Sequence, residues 1–350
     1  MTHRVLRTRD LNRALLARQF LLERSRIPLI RVLESVAGLQ TQYAPSAYIG
    51  LWSRVRDFRR GALTEALERR SAVQATLMRS TIHTVSAEDF PLFTAGLRDG
   101  RREWWLRVQR HQVEGLDMEV VAGLLREQLA RGPRRANDLK DLISALGLPP
   151  VAWSGAGHWL EMVRVPPSGT WEQRRADLYG LADDWLGARH ATEASGLERL
   201  VRRYLGGFGP APLNDMANWA GLPVSRVLPA VQRLGLVRYR DERGGELLDL
   251  PDAPLPAPDT PAPVRFLPTW DATLLAHARR TQILPEPYRP LVFNTRTPHS
   301  VPTFLVDGAV AGTWRYDSGR VRLEPFERLS PATRRELEDE AQSLAEFHAD

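Results

Sequence analysis

The chain has 350 residues, no cysteine, and 48 basic against 42 acidic side chains, a formal net charge of +6. The missing cysteines exclude disulfides and thiolate metal sites, and hydrophobic (43%) and charged (26%) fractions of this size mark a globular chain rather than a disordered one. No apolar run approaches the roughly 18 residues of a membrane helix.

The charged start, Thr2-His3-Arg4, lacks the apolar stretch of a signal peptide, so a cytoplasmic location is expected. The eight histidines are scattered and none forms an HxxxH pair, so neither a metal nor another cofactor is expected. Of the basic residues only Lys140 is a lysine. Arginine grips phosphate through paired N–H groups, and a basic surface gains affinity for a polyanion by releasing its counterions. A GC-rich genome produces the same arginine excess, so charge alone does not choose the partner.

Apolar spacing predicts amphipathic helices over residues 11–22, 29–39 and 63–67. Pro28 precedes the second of these, as suits a helix start, and residues 73–85 read as strand-like. A second, weaker unit follows. Val120, Leu124, Leu125 and Leu129 share a helix face, Gly132-Pro133 breaks it, Asn137 or Asp138 caps the next helix, and Leu139, Leu142, Ile143 and Leu146 follow. Residues 159–165 then lead into a turn at Pro166-Pro167-Ser168-Gly169.

The clearest unit lies between residues 196 and 250. One helix carries Leu197, Leu200, Val201, Tyr204 and Leu205, and the run 206–210 (GGFGP) breaks it. A short helix ends at Gly221, and a third starts at Pro223 and stops at Gly235. Residues 236–240 and 247–250 are strands about the turn 241–245 (DERGG). Three helices followed by a β-hairpin is the winged-helix plan, a helix-turn-helix with a wing. Residues 251–263 hold six prolines and read as a stiff connector. Beyond it, strands are expected over 264–267, 291–294, 303–306, 309–316 and 320–324, with hairpin turns at Asp307-Gly308 and Asp317-Ser318-Gly319 and a closing helix over 331–347.

The expected fold class is therefore α+β and mainly helical, with tandem winged-helix (helix-turn-helix) units plus a C-terminal β-rich module. The expected division is 1–95, 96–190, 191–250, a proline-rich linker 251–263, and a C-terminal α+β module 264–350. The repetition is architectural, not one of sequence identity, and three units in one chain suit a monomer.

Several segments together resemble one family. They are residues 38–42 (GLQTQ), 48–54 (YIGLWSR), 78–83 (MRSTIH), 204–210 (YLGGFGP), 267–275 (LPTWDATLL) and 304–315 (FLVDGAVAGTWR). The chain resembles the AlkZ/YcaQ family of winged-helix DNA glycosylases, over nearly its whole length. The resemblance implies excision of N7-alkylated purines, including unhooking of interstrand crosslinks, with alkylated double-stranded DNA as partner and a nucleoid-associated location. The family's motif is Gln, an apolar residue, then Gln in AlkZ-like members or Asp in YcaQ-like ones. It maps onto Gln40-Thr41-Gln42, which places the chain on the AlkZ-like side. Thr41 departs from the pattern but is β-branched and similar in size to valine.

The chemistry implied for Gln40 and Gln42 is physically coherent. Residues two apart on an extended segment point the same way, so two amides can converge on one water. Neutral amides donate and accept hydrogen bonds but do not take up a proton as carboxylates do. Their contribution is to position a water near the sugar C1′. That suffices only for a leaving group already activated, and an N7-alkylguanine is cationic and departs neutral. From the residues alone, two polar side chains after a helix end are also ordinary for a loop.

Other candidates keep two readings. His83, with Arg79 and Thr81 before it, either lines the site and contacts phosphate or is a satisfied core histidine. Asp271, after Trp270, either orients His277 or Arg280 and faces a sugar cation, or caps a helix over 272–278. Arg98, Arg101, Arg102, Arg107 and Arg110, with Trp104 and Trp105 among them, form either a DNA-backbone face or a solvated helix face over core tryptophans. The alternative to a glycosylase is a non-enzymatic winged-helix regulator, since fold does not fix function.

Overall fold

The structure, a computed structural model, describes residues 4–294 and 299–350; residues 1–3, part of the charged start discussed above, lie outside it. Helices outweigh strands, and none among the described residues is long and apolar enough to cross a membrane.

A six-stranded antiparallel sheet runs through the middle, in the order Leu39–Gln40, Ile82–Ser86, Ala72–Thr76, Met162–Arg164, Leu178–Leu181, Arg134–Arg135. The first three strands belong with the helices Leu29–Ser35, Pro45–Arg54 and Arg60–Glu68, the strand Leu39–Gln40 lying between the first two of them, and the other three belong with Met118–Leu129, Ala136–Ala145 and Val151–Trp159. The two halves are joined by pairing of Gln74 with Arg164 and Ala75 with Val163. Backbone groups that would form an open edge are thereby satisfied by the neighbouring half.

The order of three helices and a hairpin occurs again in Glu193–Phe208, Leu213–Ala220 and Val224–Arg233, followed by strands Val237–Asp241 and Glu246–Asp249. Val5–Leu6 adds a third strand to that hairpin, in parallel with Val237–Asp241. The C-terminal part is a four-stranded sheet, Arg265–Leu267, Thr303–Val306, Ala309–Asp317 and Arg320–Pro325, with the helix Pro331–Ala349 behind it.

Some elements differ from the pattern expectation. The helix expected over 11–22 is Thr8–Arg18, because Phe20 adopts a positive φ of 54° and turns the chain. The strand expected over 73–85 is two strands around the turn at Met78–Ser80. Leu291 lies in a helical turn, Arg289–Val292, whose Pro290 has no N–H for a sheet, and only Phe293–Asn294 is strand. The helix expected over 272–278 is a single turn, Ala272–Leu274.

The proline-rich segment is held in place rather than free-standing. Three arginines of helix Thr8–Arg18 donate through Nε to its carbonyls: Arg9 to Pro258 (2.9 Å), Arg13 to Thr260 (2.7 Å) and Arg18 to Pro254 (3.0 Å). Prolines leave carbonyls without matching N–H groups, and arginine, a donor only, complements them.

Burial is shared between the sequence units. One apolar cluster joins Leu15, Val73, Phe93, Val163, Tyr204, Trp219 and Leu305. A second joins Tyr48 and Trp52 to Trp171, Phe266, Trp314 and Phe347. The long helix Asp89–Gln109 crosses Glu193–Phe208 backbone to backbone at Gly96 and Gly196. A Cβ on Gly196 would lie 2.3 Å from the Leu92 carbonyl oxygen, whereas one on Gly123, inside helix Met118–Leu129, meets nothing within 4 Å. Gly196→Ala is therefore expected to destabilise the chain by about 1–3 kcal/mol through overpacking. Gly123→Ala is expected to stabilise it by about 0.5–1 kcal/mol. Urea unfolding of both variants checks the pair, and a neutral Gly196→Ala would show that the helices do not cross this closely.

Candidate active site

Helix Leu29–Ser35 stops at Val36, and Ala37 (φ 63°) and Gly38 (φ 77°) reverse the chain into strand Leu39–Gln40. A Cβ on Gly38 would sit 2.7 Å from Val85 Cγ1, so glycine is required both by the backbone angle and by the space. Strand pairing sets Gln40 opposite His83, and the Thr41 N–H donates to the Ile82 carbonyl at 2.8 Å. Thr41 is buried, and its hydroxyl oxygen accepts from Thr84 Oγ1 at 3.4 Å, which accommodates the polar atom at the motif's apolar position.

Gln40 is buried and Gln42 is exposed. Gln40 Oε1 accepts from Arg79 Nη2 at 2.9 Å, and Gln42 Oε1 accepts from the Ile82 N–H at 3.1 Å. Both partners only donate, so each amide must present its oxygen to them, which fixes its orientation. A carbonyl oxygen has two lone pairs, so each keeps one acceptor site for another donor, such as water.

Arg79 lies in the turn between the two hairpin strands. It has φ 51° and Ser80 has φ 56°, two successive left-handed residues that are not glycine. Such conformations persist only where surroundings over-determine them. Here Arg79 Nη1 donates to the Trp219 carbonyl at 2.8 Å, and Gly221 packs so closely that an added Cβ would lie 3.0 Å from the Arg79 Cα. The third helical unit thus clamps the turn that orients Gln40. Burial, with Arg280 nearby, lowers the Arg79 pKa to about 10, so the side chain stays cationic at neutral pH.

Thr81 and His83 complete the cluster. Thr81 Oγ1 donates to the Met78 carbonyl at 3.0 Å, and His83 Nδ1 lies 3.0 Å from the Thr81 carbonyl oxygen. That carbonyl can only accept, so Nδ1 carries the proton. His83 is buried, and burial together with the Arg79 charge pushes its pKa down to about 3. At neutral pH it is an uncharged imidazole whose Nδ1–H is held by the Thr81 carbonyl.

Asp271 is not part of this cluster. Its carboxylate forms a two-pronged ion pair with Arg54, at 3.0 and 2.9 Å, and both side chains are buried. Its Oδ1 also accepts from Thr273 N (3.0 Å) and Oγ1 (2.8 Å), capping the turn Ala272–Leu274. It orients neither His277 nor Arg280; His277 Nδ1 faces Asp215 instead, at 3.4 Å. Trp270, with φ 65°, is half-buried, and its N–H donates to Ser300 Oγ at 2.7 Å. The geometry therefore gathers Gln40, Gln42, Arg79, Thr81 and His83, and places Asp271 in a structural joint.

The basic run resolves into different environments. Arg101 and Trp105 are buried, Arg98 is ion-paired with Glu161, and Trp104 is exposed. Among the described residues, no group of three or more His, Asp or Glu side chains is arranged to hold a metal ion.

A family model described as DNA glycosylase AlkZ-like matches residues 33–347. The chain belongs to the AlkZ-like DNA glycosylase family. No curated protein matches its sequence. The DNA glycosylase AlkZ of Streptomyces sahachiroi is similar in structure, with a TM-score of 0.76 over 97% of this chain and 96% of that one, at 19% identity. A likeness at that identity shows a common fold, and membership in the AlkZ-like family supports DNA glycosylase activity.

Sequence reading of this AlkZ-like chain named Arg79 but not its bond to Gln40, and it placed Gly221 at a helix end without connecting Gly221 or Trp219 to Arg79. Those two lie 140 or more positions further along, and no local pattern signals the contact. The buried, neutral state of His83 has a consequence for stability. An unfolded imidazole takes up a proton near pH 6.5, while folded His83 stays neutral to about 3. Protons therefore favour the unfolded chain, and stability is lost as pH falls through that window, by up to about 1.4 kcal/mol per pH unit from His83. Urea midpoints between pH 6.5 and pH 4 should fall less steeply in His83→Gln, and superimposable profiles would show that the imidazole is not sealed.

Proposed function

We propose that this chain is a monofunctional DNA glycosylase that excises N7-alkylated purines, with Gln40 and Gln42 holding the water that attacks C1′. In this reading the three helix-and-hairpin units are winged-helix modules that clasp the duplex, with boundaries near residues 95, 190 and 250.

The observation that carries the reading is the chemistry of the cluster. The hydrogen-bond partners of Gln40, Gln42 and Arg79 are an amide, a guanidinium, a backbone N–H and a backbone carbonyl, with no carboxylate among them. No group there takes a proton at neutral pH, so the leaving base must need no help. An N7-alkylpurine meets that condition. Water oxygen bonds to C1′, the C1′–N9 bond breaks, its electron pair neutralises the cationic base, and the water's proton passes to solvent. The products are a neutral alkylpurine and an abasic site.

Arg79 is a positioning residue in this scheme. Its bond to Gln40 Oε1 fixes the amide so that water meets a defined surface. Exposure of Gln42 at an open surface suits bulky or crosslinking adducts, which a tight base-flipping pocket would exclude. A lyase step through a lysine amine is disfavoured by position. The only lysine, Lys140, lies on helix Ala136–Ala145, after strand Arg134–Arg135 at the opposite edge of the sheet from Gln40.

Release of N7-methylguanine from alkylated duplex DNA tests the proposal. The wild-type chain is expected to release it and to leave abasic sites uncleaved. Gln40→Ala and Gln42→Ala should each slow single-turnover release about 10- to 100-fold, with a smaller effect on DNA affinity, since a water-positioning group acts mainly in the transition state. Absence of release from several N7 adducts would leave a DNA-binding protein without this activity.

A further inference from the structure

A second polar site adjoins the first. A cavity of about 310 Å³ opens between helix Asp89–Gln109, helix Val151–Trp159 and the second half of the sheet. Arg98, Arg101, Arg102, Arg126, Arg164 and Arg189 line it, against only Glu161 and Asp183. Arg98 is paired with Glu161, Arg126 lies 3.8 Å from Asp183, and Arg102 reaches Glu119 at 3.3 Å. Among the described residues Arg101, Arg164 and Arg189 have no carboxylate partner.

Arg101 and Arg164 are both more than nine-tenths buried, and both reach Thr76. Arg101 Nη1 donates to its carbonyl and Arg164 Nη1 to its Oγ1, each at 2.9 Å. Arg164 Nη2 also reaches the Tyr179 hydroxyl at 3.2 Å. Nε and Nη2 of Arg101 and Nε of Arg164 remain buried without a partner. Burial, with Arg164 nearby, lowers the Arg101 pKa to about 10, and burial lowers that of Arg164 as well, so both remain cationic at neutral pH. His158, also lining the cavity, is kept neutral, with its pKa pushed to about 3 by burial and by Arg101.

Two guanidinium groups buried side by side with open donors and no counter-charge are unfavourable unless an anion joins them. We propose that this cavity is a phosphate-binding site. A phosphate carries acceptor oxygens on several sides of one centre and can meet two guanidinium forks at once. A carboxylate offers only two oxygens, both in one plane, and so fewer directions of approach.

The site has a defined relation to the glutamines. Thr76 pairs with Ile82 at the end of one hairpin, and the Ile82 N–H is the donor to Gln42. On the glycosylase reading the phosphate is a backbone diester near the adducted nucleotide, and the site sets the register of that strand against Gln40 and Gln42. The identification with DNA rests on that reading; the phosphate site does not.

The test begins with the full wild-type chain. Millimolar inorganic phosphate should raise its unfolding temperature by a few degrees over sodium chloride of equal ionic strength. Arg101→Gln and, separately, Arg164→Gln should lose that excess. Equal wild-type midpoints in the two salts would overturn the proposal without any variant having to fold. So would an excess that survives in both folded variants, which marks general salting-out. The source of the phosphate follows from binding of an undamaged duplex at a series of salt concentrations. A salt slope shallower by about one in Arg101→Gln assigns the site to a DNA phosphate. An unchanged slope, with the phosphate response lost, assigns it to a free phosphate monoester. Neither measurement uses base excision. A chain that releases no alkylpurine can keep this site, and one that releases it while ignoring phosphate loses the site.

Discussion

Strand Ala72–Thr76 is hydrogen-bonded along both edges, to Ile82–Ser86 on one side and to Met162–Arg164 on the other. This double pairing makes one sheet out of two sequence units. Strand Leu39–Gln40 hangs on its far side through Gln40 and His83, and Arg164 is set on its near side opposite Gln74. A slip of one residue in either pairing would turn every side chain to the wrong face. The positions of Gln40, Arg79 and the cavity arginines are thus consequences of a single register.

The arginines divide by what they meet. Arg18 and Arg54 are buried against Asp249 and Asp271, and each pair ties distant parts of the chain together. Arg9 and Arg13 hold the proline-rich segment and Asp307. Arg101 and Arg164 are also buried and Arg79 is half-buried, yet their hydrogen-bond partners are carbonyls, hydroxyls and an amide. A buried charge with an opposite charge is part of the scaffold; one without it is a place for a ligand or a transition state. A net charge of +6 therefore says less than the distribution of counter-charges.

Helix periodicity and turn residues made most of the architecture legible. Gly221 and Gly235 mark helix ends, Asp241 to Gly245 marks the hairpin turn, and Pro331 opens the closing helix. These are local effects of backbone angle and apolar spacing, visible within a few residues. The glutamine motif was legible through resemblance, not through its own chemistry. Where reading failed, the cause was tertiary. Asp271 and His277 sit six residues apart and look like partners, but a folded neighbour, Arg54, takes the one and Asp215 takes the other.

Sequence by itself determined the absence of thiol chemistry, the helices and hairpins, and the pair of amides with a β-branched residue between them. All of these depend on residue type or on contacts within a turn or two of chain. Only tertiary structure decided that His83 is neutral, that Arg79 holds Gln40, and that Arg101 and Arg164 converge on Thr76. Each depends on how much water and which charges surround a group, and those are set by segments 25 to 140 residues away in sequence, brought near only by folding.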